Sequence, residues 1–172
     1  MHRRLRRYLG DRRGSAAVEF AMVAAPFIFM MFAIIEIGIV FMINNQLDNA
    51  TIEAGRLVRT GQSHEQGMDE AGFKAAVCER IVAISGDCNG RLSIDVRILP
   101  RFDDPSVPDP ISGGEFNEGD LGFDQGDAGD IVLVRTWYRH PLFTPFLNSA
   151  LSRLDGGVAV VSATSAFRNE PF

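Results

Sequence analysis

With 172 residues, 46% of them hydrophobic, the chain has room for one globular domain beside any membrane segment. Its net charge of −5 conceals a split: Arg3, Arg4, Arg6, Arg7, Arg12 and Arg13 against Asp11 give the first 13 residues +5, and the chain after Gly14, with 11 basic and 21 acidic residues, carries −10. An acidic body whose one concentrated basic stretch is an N-terminal arm argues against nucleic acid as a partner, because phosphate binding needs a clustered basic surface.

The arm leads into GSAAVEFAMVAAPFIFMMFAIIEIGIVFMI, residues 14–43. From Phe20 to Ile35 there is no charge, and beyond the single Glu36 the apolar residues continue to Ile43. At about 1.5 Å per residue, roughly 20 residues cross a hydrocarbon core of about 30 Å, so a transmembrane span is predicted over about 17–43. No A-x-A-like cleavage site follows Ile43, unlike a secretory signal. The positive-inside bias keeps residues 1–13 in the cytosol, which sends the rest across.

Three features depart from a plain anchor. Glu19 lies just inside the apolar run, where an ionised carboxylate is costly unless it is paired or interfacial. Pro26 deprives the Met22 carbonyl of its helical donor. Ala17, Ala21 and Ala25 form a stripe on which another helix could approach closely. Each also has a plain reading, as an interfacial glutamate, a tolerated kink and chance alanines. Glu36 follows Glu19 by 17 residues, about 25 Å along a helix and roughly 100° around it, so the two carboxylates cannot share one partner.

Taken together, an arginine arm, Gly14, then Ser15, Ala16, Ala17, Val18, Glu19 and Phe20 opening an apolar helix resemble the class III signal of type IV prepilins. More narrowly, RRGSAAVEFAMVAAPFIFMMFAIIEIG is similar to the TadE-type pseudopilins of tight-adherence (Flp) pilus systems. The resemblance implies cleavage by prepilin peptidase between Gly14 and Ser15, with Glu19 as the fifth mature residue, paired with the new terminus of a neighbouring subunit. It implies a minor pilin or pseudopilin of the bacterial inner membrane, single-pass, with a cytosolic N-terminus and a periplasmic C-terminal domain. Partners would be other pilins and the Tad assembly machinery, in a system serving cell adhesion. The physical logic stands beside the family: glycine lets a protease approach the backbone, and a positive terminus at Ser15 is a counter-charge for a carboxylate at the membrane edge. The large insertion and DxSxS metal motif of TadG-type relatives are absent from the sequence, which favours the TadE-like reading.

Downstream, NNQLDNATIEAGRLVRT keeps helical spacing with Leu47, Ala50, Ala54, Leu57 and Val58 on one face, predicting one helix over 15–60 with Gly61 as its stop. A head over 61–172 follows. A second helix is predicted over 69–84, with Phe73, Ala76, Val77, Ile81 and Ile84 inward, and Gly86 turning the chain so that Cys88 returns toward Cys78. In an oxidising compartment a Cys78–Cys88 disulfide is the default, with two free buried thiols as the alternative. Residues 91–99 alternate strictly, Leu92, Ile94, Val96 and Ile98 against Ser93, Asp95 and Arg97, which predicts a half-buried strand.

Between Arg101 and Asp130 stand nine acidic residues with three prolines and many glycines, a stretch unable to order itself by its own core and read as a long loop. Asp120, Asp124, Asp127 and Asp130 offer oxygen ligands for calcium, though without EF-hand spacing. Residues 130–138, apolar on both faces, predict a central strand; 145–154 a short helix; 158–167 a third strand. The ending ATSAFRNEPF and the strand GDIVLVRTWY fit the same family pattern, with a structural role for Arg168, Asn169 and Glu170. The fold class expected is therefore α+β and pilin-like, a long helix running into a small head with helices on a short antiparallel sheet.

Catalytic signatures are missing: the sequence has no GxSxG elbow, HExxH helix or P-loop. His64 and His140 lie in connections, and a zinc site with Cys78 and Cys88 lacks the tight ligand pairs of such sites. The expectation is a non-enzyme with no cofactor, metal or small-molecule substrate. A permanently anchored periplasmic binding protein, its acidic loop capturing a cation or a basic partner, is the alternative.

Overall fold

The computed structural model describes residues 15–81, 87–103 and 107–172. Helix α1, Ser15–Arg59, runs 45 residues without interruption through Pro26, about 67 Å at the α-helical rise. It ends where Gly61 takes a left-handed conformation (φ 76°), and Arg56 and Arg59 in its last turn complement the dipole. The helix has two characters. Its N-terminal half is bare, with Phe20, Met22 and Val23 at least 70% exposed. From Ala33 onward one face is covered, at Glu36, Ile43, Leu47, Ala50, Thr51, Ala54 and Val58. Leu57, expected on that face, is only half-buried.

A short α2 (Gln62–Glu65) leads to α3 (Glu70–Cys78), whose cap Asp69 accepts a 2.8 Å bond from the Gly72 amide. Helix α3 is shorter than the predicted 69–84. The chain turns after Cys78, which is bonded to Cys88 with 5.9 Å between the Cα atoms, at the start of α4 (Cys88–Arg91). Ile84 and Gly86 lie outside the described residues.

Strands β1 (Leu92–Leu99), β4 (Ile131–Pro141) and β5 (Val158–Arg168) form an antiparallel sheet in the order β1-β4-β5, with Asp95 opposite Arg135 and Trp137 opposite Ser162. The predicted central strand is thus central, and its apolar faces are explained by cover on both sides. One face carries Leu92, Ile94, Val96, Val132, Val134, Tyr138 and Val161 against α1 and against Phe73 and Val77 of α3. Thr51 on α1 and Thr136 on β4 satisfy each other in this core at 2.7 Å. Small residues on α1 allow close approach: a Cβ on Gly55 would lie 2.9 Å from the Phe167 ring. Between β4 and β5 come a 3-10 turn, Pro145–Leu147, and α5, Asn148–Leu151, in place of the single predicted helix.

The acidic stretch corrects the expectation of a loose loop and of a half-buried β1. Within it, β2 (Ile111–Ser112) and β3 (Glu115–Phe116) form a hairpin whose turn glycines, Gly113 and Gly114, both have positive φ. A 3-10 turn over Glu118–Asp120 follows, and the chain then lies along the open edge of β1, with the Val96 amide donating to Gly122 O and the Asp124 amide to Val96 O, each 2.8 Å. The stretch covers the second face of the sheet, so Ser93 and Asp95, expected at the solvent face, are buried.

Candidate functional site

The acidic stretch is held on the sheet by polar contacts as well as apolar ones, among the latter Phe123 against Phe73 and Phe116 against Trp137. Asp95 is fully buried; its Oδ2 accepts from Arg135 Nε at 3.0 Å and Nη2 at 2.8 Å and from Arg97 Nε at 2.8 Å, and its Oδ1 accepts from the Gly122 amide at 2.9 Å and from Arg97 Nη2. Burial alone would raise its pKa, but the Arg97 and Arg135 guanidiniums and the Gly122 amide outweigh that and hold it below the ordinary carboxylate value. Arg135 also donates to Pro108 O at 2.8 Å and stacks on Trp137. Glu118 accepts from Arg139 at 2.8 Å and Ser93 at 3.0 Å, which lowers its pKa in turn. Arg135, Arg97 and Arg139 of the sheet thus reach the Pro108 and Asp120 carbonyls and the Glu118 carboxylate of the stretch.

Three of the aspartates considered for calcium make local bonds: Asp120 accepts from Asn117 Nδ2, Asp124 from the Gly126 amide and Asp130 from the Asp127 amide. Among the described residues no three His, Cys, Asp or Glu side chains converge as metal ligands would. Cys78 and Cys88 are spent on each other, and His64 Nε2 bonds Gly126 O at 2.8 Å. The C-terminus is tied down: Asn169 is buried and donates to Gln125 O and Asp127 O, Glu170 pairs with Arg59 at 3.0 Å, and Phe172 packs near His64.

At the other end of the molecule, Gly14 lies outside the described residues. Ser15 begins α1, and its hydroxyl donates to Glu19 Oε1 at 2.8 Å. Phe20 is 74% exposed, and Ala17, Ala21 and Ala25 are likewise uncovered. The predicted processing residues thus stand at one end of a bare apolar rod, well away from the head. Of the described residues, Ser15–Arg59 is the one helix long and apolar enough to cross a membrane.

Between rod and head lies a junction that the sequence did not disclose. The Phe143 and Thr144 amides donate to the two oxygens of Glu36, the latter at 2.9 Å, so the chain between β4 and the 3-10 turn is clipped to α1. Beside the clip Phe29, Phe32, Ile35, Ile39, Phe143 and Pro145 line a cavity of about 350 Å³. His140, 7% exposed, packs edge-on to Phe143, and its buried Nε2 has no hydrogen-bond partner among the described residues. The signal in the sequence was HPLFTP, two prolines around an apolar loop, whose partner 107 residues away could not be read locally.

Burial lowers the His140 pKa; nearby Glu36 opposes this and Arg91 assists it. With the folded pKa depressed, the unfolded chain binds the proton first, so stability is expected to fall as pH drops below about 6.5. Chemical denaturation across that range should show the slope in the wild type, and His140→Gln should flatten it.

An apolar rod fused to an α+β head is the build of a single-pass membrane protein with one extramembrane domain. Residues 14–56 match the family model described as TadE-like protein, a range that holds the bare rod, Glu36 and most of the helix under the head, but not the loop clipped to Glu36. The match spans 43 of the 172 residues, so it likens the long helix, and not the head, to that family. No curated protein and no solved structure matches the chain.

Proposed function

We propose that this chain is a minor pilin or pseudopilin acting in the biogenesis of a tight-adherence pilus. In this reading prepilin peptidase removes residues 1–14 on the cytosolic side of the inner membrane, the bare part of the span expected over 17–43, up to about Glu36, stays in lipid or packs with other pilins while Ile39, Val40 and Ile43 pack against the head, and the head over 61–172 is presented in the periplasm. Glu19 is the charge-pairing residue. Its carboxylate would leave the local Ser15 hydroxyl for the amino terminus of a neighbouring subunit, a stronger, charge-assisted partner. The uncovered alanine stripe is the surface on which that neighbour would approach. The disulfide and the docked acidic stretch are structural, and the head acts as a specificity surface rather than a catalyst.

The observation that carries this reading is that the TadE-like match begins at Gly14, at the mouth of a helix whose first half is left wholly uncovered by its own head. Gly14→Leu, co-expressed with the peptidase, is expected to accumulate as the full-length precursor while the wild type loses its first 14 residues, as read by intact mass. A Gly14→Leu chain still shortened by the arm would sink the cleavage site.

A further inference from the structure

The rod and the clip fix a level along the helix axis. From Ser15 to Glu36 is 21 residues, about 31 Å at the α-helical rise, which is close to the thickness of a hydrocarbon core. Glu36 therefore stands at the far edge of the span, and the loop held on it stands at the same level. Residues 141–147, PLFTPFL, contain no charged side chain. Phe143 is 75% exposed and Phe146 52%, on a head whose other aromatic rings mostly pack inward.

Of the loop's five backbone amides, four, all but that of Phe146, donate to protein acceptors. Pro141 and Pro145 have no amide proton. Leu142 donates to Gly157 O, Phe143 and Thr144 donate to Glu36, and Leu147 donates to Thr144 O. Irregular backbone is tolerated at membrane depth only where its polar groups are satisfied by protein. The one carboxylate at the groove is closed by the loop's own amides, which leaves an apolar lining continuous with the lipid-facing rings Phe29 and Phe32.

We propose that loop 141–147 is a second membrane contact: Phe143 and Phe146 are immersed in the interface, and a lipid acyl chain occupies the groove between the loop and α1. This rests on the reading of α1 as a membrane span. A ring seated about 5–10 Å into the headgroup and acyl boundary would restrain the head against the bilayer, so that the rigid helix is not its sole orienting element. A free acyl chain in the groove is favoured over a protein segment because the lining is apolar apart from Thr144 and Glu36, whose carboxylate is taken by the Phe143 and Thr144 amides.

Phe143→Trp places a fluorophore at an exposed position that tolerates the larger ring, with Phe146→Trp as an independent repeat and Phe27→Trp as a mid-span reference, 59% exposed in the bare rod. Each full-length variant is reconstituted in phosphatidylcholine–phosphatidylglycerol vesicles with acyl chains brominated near the carbonyl or near the methyl end, and the wild-type signal of the buried Trp137 is subtracted. The expected result is loss of roughly half the added emission of Phe143→Trp with bromine near the carbonyl end and less with bromine near the methyl end, the reverse of Phe27→Trp. Quenching of Phe27→Trp without quenching of Phe143→Trp or Phe146→Trp overturns the loop's immersion and leaves the span intact. Failure of Phe27→Trp to respond as well removes the span, and the proposal with it. Shielding of Phe143→Trp from both bromine and aqueous acrylamide means a protein occupant and overturns the lipid assignment.

Discussion

Asp95→Ala is expected to destabilise the head by about 3–5 kcal/mol, the usual result of removing one partner from a buried ion pair. The loss is large because of what the carboxylate leaves behind. Arg135, directly opposite across the β1–β4 ladder and nearly buried, would keep only Pro108 O and the Trp137 ring as partners, and the Gly122 amide would lose its acceptor. Asp95→Asn should cost less, since it keeps a carbonyl oxygen for one guanidinium. Urea unfolding of the full-length chain in detergent, followed by Trp137 fluorescence, reads both. Arg153→Ala, which breaks an exposed 3.2 Å pair with Asp109, is the contrast and should move stability by less than about 1 kcal/mol. A loss of the same small size for Asp95→Ala would mean that the acidic stretch is not held by this cluster. Because the Asp95 pKa is depressed in the fold, its contribution stands at neutral pH and is lost only as pH falls below about 3.8 toward the folded value.

That cluster marks the limit of what periodicity conveys. The alternation of Leu92, Ile94 and Val96 identified β1 and its core face, although Ile98, expected on that face, is exposed, and the apolar run around Val132 and Val134 placed β4 in the centre of the sheet. Alternation also assigned Asp95 to solvent, since a period of two shows only that a residue is on the opposite face, not what covers that face. The cover is a stretch that apolar content alone would leave loose. Its order comes from rings packed on the sheet and from bonds that Gly122 N and Pro108 O make to the Asp95–Arg135 pair, which the register of two strands 40 residues apart brings together, a relation with no local signature. Arg135, directly after the apolar run that opens β4, was an available hint. The long helix was legible throughout because its evidence is local: unbroken apolar length, helical spacing on the later face and a glycine stop. The second helix was overextended for the opposite reason, as the bond from Cys78 to Cys88 turns the chain where apolar spacing would have continued it.

Glu36→Ala should be the most damaging change on the helix that leaves its apolar character intact. On sequence grounds Glu36 is a charge at the edge of a membrane run, tolerated by position. In the fold it is 3% exposed and accepts the Phe143 and Thr144 amides, one on each oxygen. Alanine leaves both donors unpaired in an apolar setting, at about 1–3 kcal/mol each, so a total loss of about 2–6 kcal/mol is expected. Glutamine retains one acceptor and should recover part of it. Hydrogen exchange with mass spectrometry separates a clip from mere burial: in Glu36→Ala the amides of 142–147 should lose protection selectively, while those of β4, paired on both sides by β1 and β5, keep theirs. Unchanged protection at Phe143 and Thr144 would show that the loop holds its place by packing alone. The distinction matters for assembly, because α1 and the head share a core only from Ala33 onward. Without the clip, a neighbouring subunit pulling on the bare half of the rod would load the apolar packing directly. With it, the load passes first through two charge-assisted hydrogen bonds at the point where rod becomes head.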